Sequence, residues 1–434
     1  MIPDRTVFED YIFIGNLASE DYWRENRDLG FHKIKNEVLQ ATINNSDLFM
    51  IYLSEKRDLL ILGQEIPMDF QKYLNELKIC IPKTIIVNYK PNESITERII
   101  NDDSALLKIK EYAIQRMGCG HRVYLVPFAV TYQEEELSNL LSIPLRGSGS
   151  VTSKILNNKL FVRKLCSQLH IPTPAGGIAK DKQEIEQIGE NLFSNFNKLV
   201  LKESYGSSGL GMIILSKKDF YELFEYVINK LIKKNTEVIV EGWYEVEESL
   251  NKQYFIAHDK IEFLCESKQI INNGLYCGSY FVSNKEENNY FQEGMALLLN
   301  KIKELGYEGV VGIDSIVCVT GENYPCIEIN ARINMSTFIF ALKERLKISS
   351  NVCHIWEDII ISKDTHFIQV RNLLCDEEFQ PTKKKGIICI NFFVTSYSSV
   401  TKKCRVHFLI AGEEEYINTT KKWLKNRLDI IRKK

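Results

Sequence analysis

Asp314, Glu328, Asn330 and Arg332 are the residues whose types and spacing could do chemistry together. They interrupt two otherwise apolar runs, Ile313 to Val319 and Ile327 to Arg332, with Gly321-Glu322-Asn323 as a turn between them. Side chains alternate along a strand, so Glu328, Asn330 and Arg332 should share one face while Ile327, Ile329 and Ala331 share the other. Antiparallel pairing through the turn would bring Asp314 beside Glu328. Two carboxylates and an amide oxygen are hard ligands of the kind that hold Mg2+ against phosphate, and the nearby arginine can meet a further anion. The same residues also read as a structural salt bridge between a strand carboxylate and Arg332.

A second group lies upstream. Gly206, Gly209 and Gly211 free the backbone to approach a phosphate, and Ser207 and Ser208 add donors. There is no Gly-Lys-Ser/Thr and the turn leads into a strand, so this is not a P-loop; a hairpin lid over a triphosphate fits, as does an ordinary glycine-rich turn. Lys202 sits in the apolar strand entering that turn, where an ammonium needs an anionic partner. Lys159 lies on the preceding helix, where surface lysines are common. Val238 to Tyr244 is an apolar strand running into Gly242-Trp243-Tyr244, which reads either as an adenine shelf or as a core strand ending at a hinge.

The elements that must position these groups divide the chain in three. Residues 1–150 alternate short strands (Tyr11 to Ile14, Leu48 to Tyr52, Asp58 to Leu62, Lys83 to Val87, Arg122 to Val126) with helical patterns around Met68 to Leu77 and Ser104 to Met117. That pattern predicts a parallel α/β domain without a dinucleotide fingerprint. Residues 151–345 carry both groups above, the lid-bearing lobe over 151–242 and the metal-bearing lobe over 243–345. A helix is predicted from Lys154 to Leu169, ended by Pro172 and Pro174. Residues 346–434 predict a small α+β domain, with strands at Phe367 to Leu374, Ile387 to Thr395 and Arg405 to Ala411. A last helix, Glu413 to Arg432, is acidic first and basic last.

The chain has 434 residues, 44% of them hydrophobic, which suffices for several cores. With 55 basic and 57 acidic residues the net charge is -2, giving no general drive toward nucleic acid or an acidic membrane. Eleven cysteines are dispersed, and Cys318, Cys326 and Cys389 fall in apolar strands, which argues for core packing in a reducing cytoplasm. The N-terminal run, interrupted by Asp4, Arg5, Glu9 and Asp10, is not expected to be a signal peptide, and no apolar stretch is long enough for a membrane helix.

The order of the motifs resembles the ATP-grasp superfamily over about Asn158 to Thr337. Asn158-Lys159 resembles its helical Asp-Lys, and Lys202 its strand lysine, both of which contact ATP phosphates. Glu203 to Met212 resembles the glycine-rich lid. Glu241, Trp243 and Tyr244 are similar to the adenine linker, and Glu248 to the acidic residue on the ribose. Asp314, Glu328 and Asn330 match the magnesium ligands, with Mn2+ as an alternative metal, and Arg332 resembles the arginine that steadies an acyl phosphate. Gly312 departs from D-alanine-ligase-like members, which carry an oxyanion arginine there. The domain layout, Ile-Pro-Leu-Arg-Gly-Ser at 143–148 and the C-terminal extension are similar to natural-product ligases with a pre-ATP-grasp domain, of the pheganomycin and butirosin type.

The resemblance implies an ATP-dependent carboxylate–amine ligase that forms an amide through an acyl phosphate, on an amino acid or peptide. Transfer of an amino acid to an acyl-carrier protein is one alternative. An ATP-grasp kinase and a catalytically silent nucleotide-binding protein are others. Glu266, Ser267, Tyr280 and Ser336 are candidates for the substrate pocket, each equally readable as an ordinary strand or turn residue. The expected partners are small carboxylates and amines, with a homodimer compatible with the sequence. The last helix, with Lys421, Lys422, Lys425, Arg427, Arg432, Lys433 and Lys434 beside Trp423, Leu424, Leu428 and Ile431, reads as a dock for an acidic carrier protein or as a solvated face on a packed helix.

Overall fold

The computed structural model describes residues 5–24, 31, 37–90, 93–206, 211–233, 236–283 and 291–432. The chain opens with a parallel sheet of β1 (Glu9–Ile14), β2 (Leu59–Leu62), β3 (Lys83–Ile86) and β4 (Arg122–Pro127), in the order β3-β2-β1-β4. β1 and β2 are buried along their whole length, as strands covered on both faces must be. Strand order reverses between β1 and β4, and crevices at such switch points receive the loops that leave the strands. The loop after β1, with the short turn Ser19–Asp21, leaves from that point.

A second sheet of β5 (Gly176–Ala179), β6 (Lys198–Lys202), β7 (Met212–Ser216) and β8 (Val238–Gly242) is antiparallel, in the order β5-β8-β6-β7. Helices Lys182–Leu192 and Lys217–Tyr226 pack against it through Ile185, Leu192, Phe220 and Phe224.

The third sheet has eight strands: β9 (Val246–Ile256), β10 (Ile261–Asn272), β11 (Leu275–Phe281), β12 (Gly309–Cys318), β13 (Asn323–Asn330), β14 (Asn351–Ser362), β15 (Gly386–Tyr397) and β16 (Thr401–Gly412). Their order is β13-β12-β9-β10-β11-β14-β16-β15. The residues after 345 therefore extend the sheet that carries Asp314. The seam between β11 and β14 needs Gly278, whose φ is +150° and where a Cβ would lie 2.2 Å from the His354 carbonyl oxygen. One face of the sheet packs on helices Lys159–Gln168 and Gln292–Glu304 through Val311, Ile313, Ile329 and Leu298.

Several predicted elements differ. Leu48 to Tyr52 is not a strand but part of a 3-10 helix, Ser46–Tyr52, buried at every position; a continuously apolar run carries no periodicity to separate the two. Phe367 to Leu374 is not a strand either: Phe367–Arg371 is helical and buries Phe367 and Val370, three apart on one face. The helix predicted from Lys154 is two, Ser150–Leu156 and Lys159–Gln168, because the Asn158 side chain accepts from the Leu160 and Phe161 amides and starts a new helix. β14 replaces the missing C-terminal strand. In the last helix, Glu414–Arg432, Leu424 and Leu428 are buried in the core, so that part of the apolar stripe is not offered to a partner; Lys422 and Lys425 are exposed. Lys433 and Lys434, and the Ile431 and Arg432 side chains, lie outside the described residues. Among the described residues no helix is long and apolar enough to cross a membrane.

Candidate active site

Asp314 on β12 lies directly across from Glu328 on β13, with a bulge following before Ile316. Pairing of β12 with β9 adds Asn251 on the same face. The Asn251 side-chain amide donates to Asp314 Oδ1 at 2.6 Å, Gln269 to the same oxygen at 3.1 Å, and Asn330 to Oδ2 at 3.2 Å. All three partners are neutral. Burial first, and the Glu328 charge second, push the Asp314 carboxyl up to about 7. Glu328 has a cation instead: Lys159 Nζ lies 3.2 Å from its Oε1. Asp314 thus hydrogen-bonds to neutral partners, while Glu328 beside it has the Lys159 ammonium. Among the described residues no group of three or more His, Cys, Asp or Glu side chains could hold a metal. Two carboxylates and the Asn330 amide oxygen fit Mg2+, which keeps part of its shell for water or phosphate.

Gly312, on β12, has a packing reason. A Cβ there would lie 2.4 Å from the Asn334 amide nitrogen and 2.5 Å from that of Gln253. These amides belong to a network in which Gln253 donates to Asn251 Oδ1 and accepts from the Thr337 hydroxyl. The space an arginine would use at this position is filled by amides that hold the Asp314 partner.

The cations on the lid side of the cavity come from the helix Lys159–Gln168 and from β6. Lys159, in the first turn of its helix, donates its backbone N–H to the Ser204 carbonyl at 2.9 Å and its ammonium to the Gly206 carbonyl at 2.5 Å. Lys202, at the end of β6, donates to Glu241 Oε2 at 2.6 Å. Glu241 also accepts from Arg163, whose other nitrogen donates to the Pro174 carbonyl at 3.0 Å. Glu203 accepts from Arg24 at 2.6 Å and from the Phe31 amide at 2.9 Å, tying the lid base to the N-terminal unit. Gly211 has φ +82°, and a Cβ there would strike the Glu203 carboxylate at 2.4 Å. Ser207, Ser208 and Gly209 lie outside the described residues.

A cavity of about 810 Å3 gathers these groups. Lys159, Lys202, Gly206, Glu241, Trp243 and Tyr244 line one part, and Asp314, Glu328, Asn330, Arg332 and Ser336 another. Arg332 donates to Glu20 Oε1 at 2.8 Å and stands over the Phe128 ring at 5.3 Å. The Ser336 hydroxyl lies 2.9 Å from that of Ser267 behind it. Ile329 and Ala331 point into the helix-packed core as the alternation requires, but Ile327, beside the bulge, lines the cavity.

Glu248 and Glu266 are turned away. On β9, Glu247, Ser249 and Asn251 border the cavity, so Glu248 faces the other side and pairs with Lys268. Glu266 is directly across from Lys252, 3.5 Å from its ammonium, on that far side too. Tyr280 pairs across from Lys268 and shares its face. The cavity also takes in residues with no motif around them: Glu20, Asn251, Gln269, Trp356 and Arg405. Asn251 alone had a readable signal, a polar residue in register with Asp314 within an alternating strand.

The family model described as L-aspartate–L-methionine ligase, ATP grasp, matches residues 180–330. The butirosin acyl-carrier-protein–L-glutamate ligase of Niallia circulans is 34% identical over 228 residues, which are 51% of this chain and 54% of that protein. The match thus spans about half the length of this curated relative. Among solved structures, the ADP complex of PurK, N5-carboxyaminoimidazole ribonucleotide synthetase, aligns over 99% of both chains with a TM-score of 0.56 and 12% identity. A biotin carboxylase complexed with β-γ-ATP, from Campylobacter jejuni, covers 96% of this chain and 91% of its own, with a TM-score of 0.54 and 11% identity. With a parallel sheet, a hairpin lobe and a long antiparallel sheet lining one cavity, the chain shares the fold of these structures, and its residues 180–330 are similar to an ATP-grasp family model.

Proposed function

We propose that this protein is an ATP-dependent carboxylate–amine ligase that forms an amide through an acyl phosphate. The observation that carries the reading is the convergence on one cavity of Asp314, Glu328 and Asn330 with Lys159, Lys202 and Arg332. Asp314, Glu328 and Asn330 would hold magnesium, which when bound would neutralise phosphate charge. Lys159 and Lys202 bind and orient the transferring phosphate from the lid side. Trp243 and Tyr244 wall the adenine, with Glu241 holding Lys202 in line. Arg332 lies beyond the metal residues and meets the substrate carboxylate, then the oxyanion that forms as the amine attacks. The amides around Gly312 keep Asp314 in register with Glu328.

The names of the matching family model and of the Niallia circulans relative each contain an acidic amino acid, aspartate in the first and glutamate in the second. We infer an amino acid of this class among the substrates, in a cytoplasmic setting. A carrier-protein partner is favoured by the Niallia circulans relative and by the exposed Lys422 and Lys425 on the last helix. The test is release of ADP and phosphate against pools of carboxylates and amines, with mass detection of the coupled product. Amine dependence is expected, and a phosphorylated hydroxyl product would point to a kinase instead. Asp314→Ala and Glu328→Ala should each abolish turnover; full activity in both would overturn the reading.

A further inference from the structure

Besides the groups assigned above, the cavity of about 810 Å3 has a second set of lining residues, an arm made by Glu20, Phe338, Trp356, Arg405 and His407, to which the nucleotide and metal reading gives no role. At its near end stands Glu20, carried by the loop after β1, with its carboxylate 2.8 Å from the Arg332 guanidinium. Both side chains are largely buried. The far wall, four and five strands from Asp314 in the sheet, is built by Trp356 of β14 and Arg405 and His407 of β16, and Phe338 also lines the cavity. Arg405 Nε and one terminal nitrogen hold Asp358 at 2.8 and 3.1 Å, and the other terminal nitrogen donates to the Thr42 hydroxyl at 3.0 Å. Lys403 lies 3.3 Å from the same aspartate, so two cations face one anion. Burial pushes His354 down to about 3 and His407 well below its usual range, so that pair adds no charge near neutrality. The arm thus carries a carboxylate beside the reacting centre and an excess positive charge with aromatic faces at its other end.

We propose that this arm is the acceptor site, that Glu20 receives the attacking amine, and that the acceptor is a primary amine bearing an acidic group at its other end, as in an amino acid or short peptide. The proposal rests on the ligase reading. When a substrate carboxylate takes the Arg332 guanidinium, Glu20 is released toward the incoming ammonium. Glu20 removes one proton, and the freed nitrogen lone pair attacks the acyl carbon. The C–N bond forms as the C–O bond to phosphate breaks. Phosphate leaves with that electron pair and takes the second proton from nitrogen. Glu20 is a base that only a charged acceptor needs.

Hydroxylamine, which is neutral near pH 7.5, separates the two needs. With ATP, the acid and hydroxylamine, Glu20→Gln should form hydroxamate within about threefold of the wild type, whereas amide formation with amino acids and dipeptides should fall about 100-fold or more. Glu20→Asp should recover part of that loss. Equal loss on both nucleophiles, or no loss on either, overturns the assignment. In the wild type, carboxamide forms of the working acceptor should raise KM about tenfold over the free acids, as expected for one lost charge contact; equal KM values overturn the assignment of the acidic end to the Arg405 wall. Absence of hydroxamate from the wild type with every acid tried would instead sink the ligase reading itself.

Discussion

The metal binding proposed at Asp314 is expected to be a pH-dependent exchange with the proton on its carboxyl, and the size of the effect follows from its surroundings. Its carboxyl is pushed from an ordinary value of 3.8 up to about 7, by burial and then by Glu328. At about pH 6 it is then protonated in about nine molecules of ten, and at about pH 8 in about one of ten. A cation entering between the two carboxylates must displace that proton. Its affinity should therefore weaken about tenfold from pH 8 to pH 6, equivalent to about 1.4 kcal/mol, with release of about 0.9 proton at the lower pH. Calorimetric titration with Mn2+ or Mg2+ in buffers of different ionisation heat counts the protons directly. Asp314→Asn should weaken binding and abolish the release. The sign for the metal-free protein is opposite. A carboxyl whose folded value lies above its unfolded value leaves the unfolded state with fewer protons between about pH 4 and pH 7, so its contribution to stability falls as pH rises through that window. Metal-free Asp314→Asn should accordingly be more stable than the wild type near pH 8, by about 1–2 kcal/mol given that the cavity admits water. Proton release below about 0.2 at pH 6, or the same release from Asp314→Asn, would refute the reasoning.

Two further outcomes concern the neighbours of this site. Lys202→Met should raise the KM for ATP about 10–100-fold, the loss of one charge-assisted hydrogen bond, as steady-state kinetics at saturating acid and amine will read. Gly312→Ala should cost about 1–3 kcal/mol of stability in thermal unfolding and lower activity, because its methyl displaces the Asn334 and Gln253 amides that hold Asn251 on Asp314.

What was legible in the sequence was local and periodic. Alternation and one turn sufficed to place Asp314 against Glu328, since a hairpin fixes register within a few residues. The same alternation was out of reach for Glu248, because the connection from Glu241 through Trp243 and Tyr244 does not preserve a face, and counting residues across it cannot tell which side β9 presents. Asn158 resembles a family aspartate, yet its side chain is spent accepting from the Leu160 and Phe161 amides at the start of the helix that carries Lys159. Leu48 to Tyr52 misread because complete burial erases the polar side of the pattern. Glu20, Trp356 and Arg405 were invisible for another reason. They are brought to Arg332 by the parallel sheet on one side and by the β11–β14 seam on the other, and no spacing along the chain encodes either approach.

The unbroken third sheet has a consequence for how such a protein can diversify. Asp314 and Arg405 sit on one hydrogen-bonded surface but five strands apart, β12 to β16, with Gly278 at the junction. Exchanging the cavity-facing residues of β14 and β16 would recast the shape and charge of the far wall while leaving Asp314, Glu328 and Asn330 in place. Under the proposed reading, acceptor choice and phosphoryl chemistry are in this way separately mutable traits of a single sheet. Grafting these two strands, with the helix Glu37–Asn45 that faces them, is the natural unit for engineering a new acceptor preference.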